Sequence, residues 1–481
     1  MPGPWKSLKN IPSFSVDTML LLTDGSVLCH EYESPNWHRL VPDAKGNYVN
    51  ATWHAVTPLP ANAPLSQNGP LDAPLYYASA VLKDGQVLVA GGEYNVSFAP
   101  PGADLLAAEI YDPVADSWTS VPTPPGWNNI GDAPGCLLPD GRFLLGDINS
   151  TRTAIFHPGS KTWSKGGKKD DNSSEETWTL LPNDTILCAE VDNHPKAEKY
   201  VIKTNKWVSA GSIPVGADLV INVPGVSIEI GPAVLMPDGR VFAVGASGHT
   251  ALYNVKTGAW SAGPDFPPDS GGNLMRAFDA PASLLPSGNV LCVVGAVLTS
   301  GPDTGWAGLP IRFFEFDGTA LNPVPPPTNA STTLTFNCRL LPLPTGQVLY
   351  SNCTSDLEIY TPAGGPHDHW RPHITHVPKS LRRGRTYQLR GRQLNGLSQA
   401  VSYGDDAQMA TNYPLVQLRH AASKKVHFCR TFDHSTMGVA TGMKIHHTHF
   451  HVPHGVPVGH YDMVVIANGL HSHLVKVHVI P

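Results

Sequence analysis

YYASAVLKDGQVLVAGGEYN, residues 76–95, consists of two short apolar runs that meet at Asp84-Gly85. Asp-Gly between apolar runs is hairpin chemistry, because the tight turn needs a positive φ that glycine adopts without strain. The same motif recurs as TMLLLTDGSVLCH, PGCLLPDGRFLLGD, WTLLPNDTILCAE, PAVLMPDGRVFAVG, PASLLPSGNVLCVVG and RLLPLPTGQVLYSN. The turns fall at 24, 84, 140, 183, 238, 287 and 345, so neighbours are 43 (140 to 183) to 60 (24 to 84) residues apart. Most hairpins are followed by a third strand and a fourth bearing tryptophan: EIYDPVADSWTS, AIFHPGSKTWSK, KYVIKTNKWVSA, ALYNVKTGAWSA and EIYTPAGGPHDHWRP, with Trp53 serving the first unit. Four strands at this period make a propeller blade, whereas an isolated hairpin cannot bury its faces. The expected fold class is therefore all-β, with a seven-bladed β-propeller over residues 1–372. From 373 onward, HITHVPKSLRRGRTYQLRGRQLNG to VHVIP keeps strand alternation without the blade rhythm. That stretch, 373–481, reads as an immunoglobulin-like β-sandwich domain.

The chain of 481 residues has 33 Lys and Arg against 39 Asp and Glu, a formal net charge of −6. No basic stripe is present to neutralise phosphates, so a nucleic-acid partner is not expected. No run approaches ~20 apolar residues, so no membrane span is expected. The start, MPGPWKSLKN, lacks the apolar core of a signal peptide, while Asn-x-Ser/Thr sites at Asn50, Asn95, Asn149, Asn172, Asn183, Asn329 and Asn352 favour an extracellular setting. A cytoplasmic location stays open. Seven cysteines are too few for a disulfide scaffold. Cys338 and Cys353 lie symmetrically about the Thr345-Gly346 turn, as either a cross-strand disulfide or two buried thiols.

The first strand of each blade is innermost in a propeller, so its start opens beside the axis. Seven to nine residues before each turn stand Asp17, Tyr76 or Tyr77, Asp132, Glu175 or Glu176, Glu229, Asp279 and the pair Phe336-Asn337. Carboxylates are poor strand formers, and their recurrence at one structural position predicts an acidic axial funnel lined with tyrosine. Such a funnel suits a divalent cation, sugar hydroxyls or a basic ligand. Crowded carboxylates also raise one another's pKa.

Seven kelch-type blades followed by a sandwich domain resemble the galactose oxidase and glyoxal oxidase group of copper-radical oxidases. The segments LNGLSQAVSYGDDAQMATNYPLVQLRH, RTFDHSTMGVATG and YDMVVIANGLHSH are similar to that group's C-terminal domain. The resemblance implies a copper held by two tyrosines and two histidines, with one tyrosine cross-linked to cysteine. Matched on the hairpin turns, Tyr76 takes the place of the cross-linked tyrosine. Asp17 stands in the place of the cysteine, Phe336-Asn337 in that of a Tyr-His pair, and Phe432 in that of the last histidine, with His434 two residues on. A thioether needs sulfur and Phe336 cannot ligate a metal, so the copper-radical centre is expected to be lost.

A second concentration, KIHHTHFHVPHGVPVGHY, places His447, His449 and His451 on one strand face, a candidate chelate for a metal such as Zn²⁺ or Cu²⁺ that His434 could join. The alternative is a solvated polar face. DHST at 433–436 is no serine triad, because adjacent residues on an extended chain point apart.

The leading expectation is a non-catalytic protein. It binds a carbohydrate, glycoconjugate or cell-surface protein partner through an axial pocket of Asp17, Tyr76, Tyr77, Asp132, Glu176, Glu229, Asp279 and Asn337. It requires no cofactor, although a divalent metal (Ca, Cu or Zn) is a candidate occupant. The alternatives are a metal-dependent enzyme with a rebuilt site using Tyr76, His434 and carboxylates, and a structural protein forming homo-oligomers or assemblies through its histidine-rich face.

Overall fold

The structure, a computed structural model, describes residues 4–60, 73–95, 105–174, 176–301, 304–403 and 409–481. Seven sheets form a kelch-type β-propeller; six have four strands and one is extended to six. The innermost strands, in chain order, are Val16–Leu21, Ala78–Val81, Gly135–Leu137, Trp178–Leu180, Ala233–Leu235, Pro281–Leu284 and Arg339–Pro342. All seven are completely buried, which explains their apolar runs without polar alternation. The hairpin turns follow the sequence chemistry: Gly85 sits at φ 86, and blade four, lacking the glycine, uses Asp184 at φ 57.

Four of the blade tryptophans act as links between neighbours. Trp118 Nε1 donates to the Thr57 carbonyl at 2.8 Å, Trp163 Nε1 to Pro122 at 2.6 Å, Trp260 Nε1 to Ala210 at 3.2 Å and Trp53 Nε1 to Asn10 at 2.9 Å. Each indole thus anchors its outermost strand to the chain leaving the preceding blade.

The seventh blade differs from the sequence expectation. Its outermost strand is not built around Trp370, which lies in a short 3-10 turn, Asp368–Trp370, against Gly288. The N-terminal strand Trp5–Ser7 pairs antiparallel with Glu358–Tyr360 instead, and Trp5 Nε1 donates to Pro325 at 2.6 Å. Pairing the two ends of the propeller sequence completes the seventh blade and closes the ring.

The tail forms two further sheets. One contains His373–His376, Thr386–Arg392, Ile445–His451 and Thr431–Phe432; the other is centred on Gly459–Ala467. Their shared core includes Leu389, Val416, Phe450, Tyr461 and Val479. The tail covers the hairpin-turn face of the propeller: a Cβ at Gly25 would strike the Phe428 ring at 2.6 Å, and one at Gly346 would meet the Gly469 carbonyl at 3.3 Å. One tail segment penetrates further. Val401–Tyr403 pairs with the innermost strand of blade six, and Gln399 Oε1 accepts the Leu180 amide of blade four at 2.9 Å.

Cys338 and Cys353 are free thiols, so the disulfide alternative is corrected. The register sets Arg339 opposite Ser351, and the strand ends there, with Cys353 turning away at φ 55. Its Sγ meets the Asn337 carbonyl at 3.4 Å instead. Alkylation of the denatured, unreduced protein is expected to modify all seven cysteines; a mass two hydrogens short with two sites unlabelled would contradict this.

Candidate functional site

At the end of the axis opposite the tail lies a cavity of about 340 Å³, lined by Tyr76, Glu93, Tyr94, Asp132, Glu229, Asp279, Trp306 and Phe336. Four carboxylates face four aromatic rings, and the lining contains no lysine, arginine or histidine among the described residues. The aromatics form one continuous wall. Tyr94 meets Tyr76 edge-on at 6.2 Å, Tyr76 meets Phe336 at 6.5 Å, and Phe336 meets Trp306 at 5.0 Å.

Two lining residues are held in strained backbone conformations, Tyr76 at φ 51 and Asp279 at φ 44. Non-glycine residues at positive φ cost of order ~1 kcal/mol each and persist where surrounding structure fixes them. Behind the wall, the Arg339 guanidinium sits 5.9 Å from the Tyr76 ring centre and donates to the Phe336 carbonyl at 2.7 Å, so one buried cation supports both aromatics.

The carboxylates lie close enough to resist ionising together. Burial, then the charges of Asp279, Asp132 and Glu93, hold the Glu229 carboxyl well above its ordinary range. Burial and Asp132 push Asp279 up to about 7, against a smaller opposing pull from Arg339. Glu229 Oε2 is shut off from solvent and meets no hydrogen-bond donor among the described residues. Burial also raises the Tyr76 phenol, so that it remains protonated.

Of the residues expected from sequence, Tyr76, Asp132, Glu229 and Asp279 line the cavity. The other four do not. Asp17 is fully buried against Arg339 Nη2 at 2.9 Å, with His30 at 3.7 Å. Glu176 is fully buried on Lys169 Nζ at 2.9 Å. Tyr77, 0% exposed, belongs to the core beneath blades one and two. Asn337 contributes its carbonyl to Cys353, while its neighbour Phe336 takes the lining position. Glu175 lies outside the described residues. Glu93, Tyr94 and Trp306 were not expected. Glu93 and Tyr94 follow the second strand of blade two, and Trp306 precedes the long third strand of blade six, so a count along first strands misses them.

The histidine expectations need correction too. His434 is at the tail end of the axis, not in the cavity: its amide donates to the Lys83 carbonyl at 3.3 Å and its Nδ1 pairs with Thr448 Oγ1 at 2.8 Å. Burial pushes its pKa down to about 3, leaving a neutral ring. It cannot join Tyr76 in a rebuilt metal site. Nor does it join His447, His449 and His451, because Thr448 alternates to the opposite strand face from those three. The His447 and His449 rings are 6.0 Å apart, and His449 instead approaches Asp433 at 3.8 Å. Among the described residues the histidines do not converge on a point; the group that does is Asp171, Glu190 and Glu198.

This architecture defines the class: a kelch-type β-propeller with a two-sheet tail, whose axial cavity is acidic and aromatic. A search of known proteins agrees on the fold. No protein-family model matches the sequence. A 194-residue stretch is 26% identical to Kelch-like protein terF of Aspergillus terreus, covering 38% of this chain and 38% of that protein. A 120-residue stretch is 28% identical to human Kelch-like protein 30, covering 23% of this chain and 20% of the relative. The chain thus aligns with well under half the length of either. Among solved structures, a fungal alcohol oxidase of the AA5 family, determined in complex with copper, superposes over 100% of this chain and 99% of its own with a TM-score of 0.53 and 14% identity.

Copper is the metal that this likeness brings into question, and the lining does not fit a Tyr-His copper centre. Tyr76 is the one member of the expected set in the cavity, Phe336 stands where a ligand is needed, and no histidine is present among the described lining residues. Asp17, at the cysteine position, is engaged with Arg339.

Proposed function

We propose that this protein is a non-catalytic member of the galactose-oxidase-like propellers that binds a carbohydrate or glycoconjugate at the axial cavity. The observation that carries the reading is the meeting of Glu93, Asp132, Glu229 and Asp279 with the wall of Tyr94, Tyr76, Phe336 and Trp306. Carboxylates accept hydrogen bonds from sugar hydroxyls, while flat aromatic faces cover the apolar C–H surface of a pyranose ring. An amine-bearing sugar gains further, because its ammonium relieves the repulsion that keeps Glu229 and Asp279 from ionising together.

Screening the protein on an array that includes amino sugars and neutral sugars tests this. Trp306→Ala is expected to weaken the best ligand about tenfold, the ~1.4 kcal/mol of a lost aromatic face. Glu229→Gln is expected to cost amine-bearing ligands more than neutral ones. Copper-treated protein is expected to release no hydrogen peroxide from primary alcohols. An absence of glycan binding, or binding that neither variant alters, would exclude the cavity as the ligand site, and copper-dependent peroxide release would restore an oxidase role.

A further inference from the structure

Blade four carries a second acidic centre, outside the axial cavity and independent of its ligand. Asp171 comes from the loop entering the blade, Glu190 follows the strand Thr185–Ala189, and Glu198 lies on the strand Lys196–Val201. All three are buried, and each brings one ligand oxygen to within 4.8 Å of the others. Two of the carboxylates have partners. Asp171 Oδ1 and Glu198 Oε2 accept from Lys169 Nζ at 3.0 and 3.2 Å, and the Asp170 amide donates to Glu198 at 3.2 Å.

Glu190 differs. It is 3% exposed, and its Oε2 is closed to solvent without a donor among the described residues. It is nevertheless aimed into the cluster, its ligand atom standing with those of Asp171 and Glu198. With Glu176 also on Lys169, three carboxylates share this ammonium, and Glu190 adds a fourth carboxylate to the cluster. Burying an unpaired carboxylate is strongly unfavourable, and a cation is the partner that this charge balance lacks. An approach exists: a cavity of about 340 Å³ is lined by Glu190, Glu198 and Asp170 together with Lys168, Lys169 and Lys196, of which Lys196 pairs with Asp170 at 3.6 Å.

We propose that Asp171, Glu190 and Glu198 bind a divalent cation of calcium's size. The donor set is all carboxylate oxygen, which selects hard cations over zinc or copper. Calcium takes roughly six to eight oxygens in flexible geometry and is held by carboxylate clusters, whereas magnesium demands near-octahedral geometry and gives up its waters reluctantly. A divalent cation leaves Asp171, Glu176, Glu190, Glu198 and Lys169 together with one residual negative charge.

The test is calorimetric titration of the chelator-treated full chain with CaCl₂ at pH 8, together with terbium luminescence. One saturable calcium event is expected, with magnesium binding at least tenfold more weakly. Terbium is expected to luminesce through Trp207, whose ring lies 4.9 Å from Lys169 Nζ, and calcium should displace it. Glu190→Gln should abolish both signals. Trp207→Phe should remove the luminescence and keep the calcium heat, a readout that does not depend on the glutamate variant folding. Glu229→Gln, in the axial cavity, should leave both signals unchanged. Absence of calcium and terbium binding would overturn the proposal, as would binding insensitive to Glu190→Gln or binding lost with Glu229→Gln. A Glu190→Gln protein that is more stable and equally indifferent to calcium would assign a bound proton, not a cation, to Glu190.

Discussion

Replacing Arg339 by methionine is expected to lower the unfolding free energy by about 3–5 kcal/mol, the cost of breaking a buried ion pair by removing one partner. Arg339 and Asp17 are both 0% exposed and meet at 2.9 Å. They belong to the innermost strands of the last and first blades, so the pair joins the two ends of the ring. The same guanidinium also donates to the Phe336 and Cys338 carbonyls at 2.7 and 3.0 Å. Its loss would strand Asp17 with His30 at 3.7 Å and leave two carbonyls short of a donor. The pH dependence gives a second readout. Burial by itself would raise the Asp17 pKa, but Arg339 and then His30 outweigh it and hold the carboxyl below its ordinary value. A depressed folded pKa contributes stability above the ordinary carboxylate range, which is lost as pH falls through the folded value. The deficit of the variant should therefore be largest near neutrality and shrink in acid. Urea unfolding followed by tryptophan fluorescence at pH 7 and at steps below pH 4 measures both, and Asp17→Leu combined with Arg339→Met should recover much of the loss. A deficit under ~1 kcal/mol, the scale of an exposed pair, would show that the ring does not depend on this link.

Lys169→Met is the second large effect, again about 3–5 kcal/mol at pH 8 in chelator-containing buffer. Lys169 is fully buried, bonds Asp171, Glu176 and Glu198 at 3.0, 2.9 and 3.2 Å, and lies 4.9 Å from the centre of the Trp207 ring. Methionine fills similar space but leaves the carboxylates without their cation. Burial, opposed by Lys169, already holds the Glu176 carboxyl up at about 8, and burial with Asp171 and Glu198 holds Glu190 at about 7. Raised carboxylates contribute stability below their ordinary pKa of ~4.3 that is lost as pH rises through the folded values. Removing the ammonium raises them further, so the deficit should grow from pH 5 to pH 8. Thermal melts across that interval decide the matter; a deficit constant with pH would mean that Lys169 acts through packing alone.

Both predictions rest on residues that sequence reading placed elsewhere. Asp17 and Glu176 occupy the same strand-start position as Asp132, Glu229 and Asp279, and nothing local separates the two groups. The separation is made by cations: Arg339 crosses from the last blade to Asp17, and Lys169 reaches Glu176 from the loop that precedes it. Asp132, Glu229 and Asp279 instead line the cavity. The unexpected lining residues follow the same logic, since Glu93, Tyr94 and Trp306 stand at the far ends of strands and are brought in by blade geometry.

The repeat itself was legible because its determinants are local. A turn glycine or aspartate at positive φ, flanked by apolar runs, forces a hairpin wherever it occurs, and the recurrence of hairpins forces a propeller. The departure of Asp17, Phe336 and Phe432 from the copper-type ligand set is likewise an expectation from side-chain identity alone, which decides whether a position can offer a ligating nitrogen or sulfur. Closure of the ring by Trp5–Ser7 was not legible, because three residues carry no pattern until a partner edge is available. The same holds for the free thiols and for His434, whose places depend on register and on alternation of strand faces. Backbone conformation and donor chemistry are properties of short stretches, and the sequence by itself determined them. Which charges are neutralised, which rings share a wall and which strands meet depend on how segments are brought together in space, as Arg339 is to Asp17, and only the tertiary structure decided those.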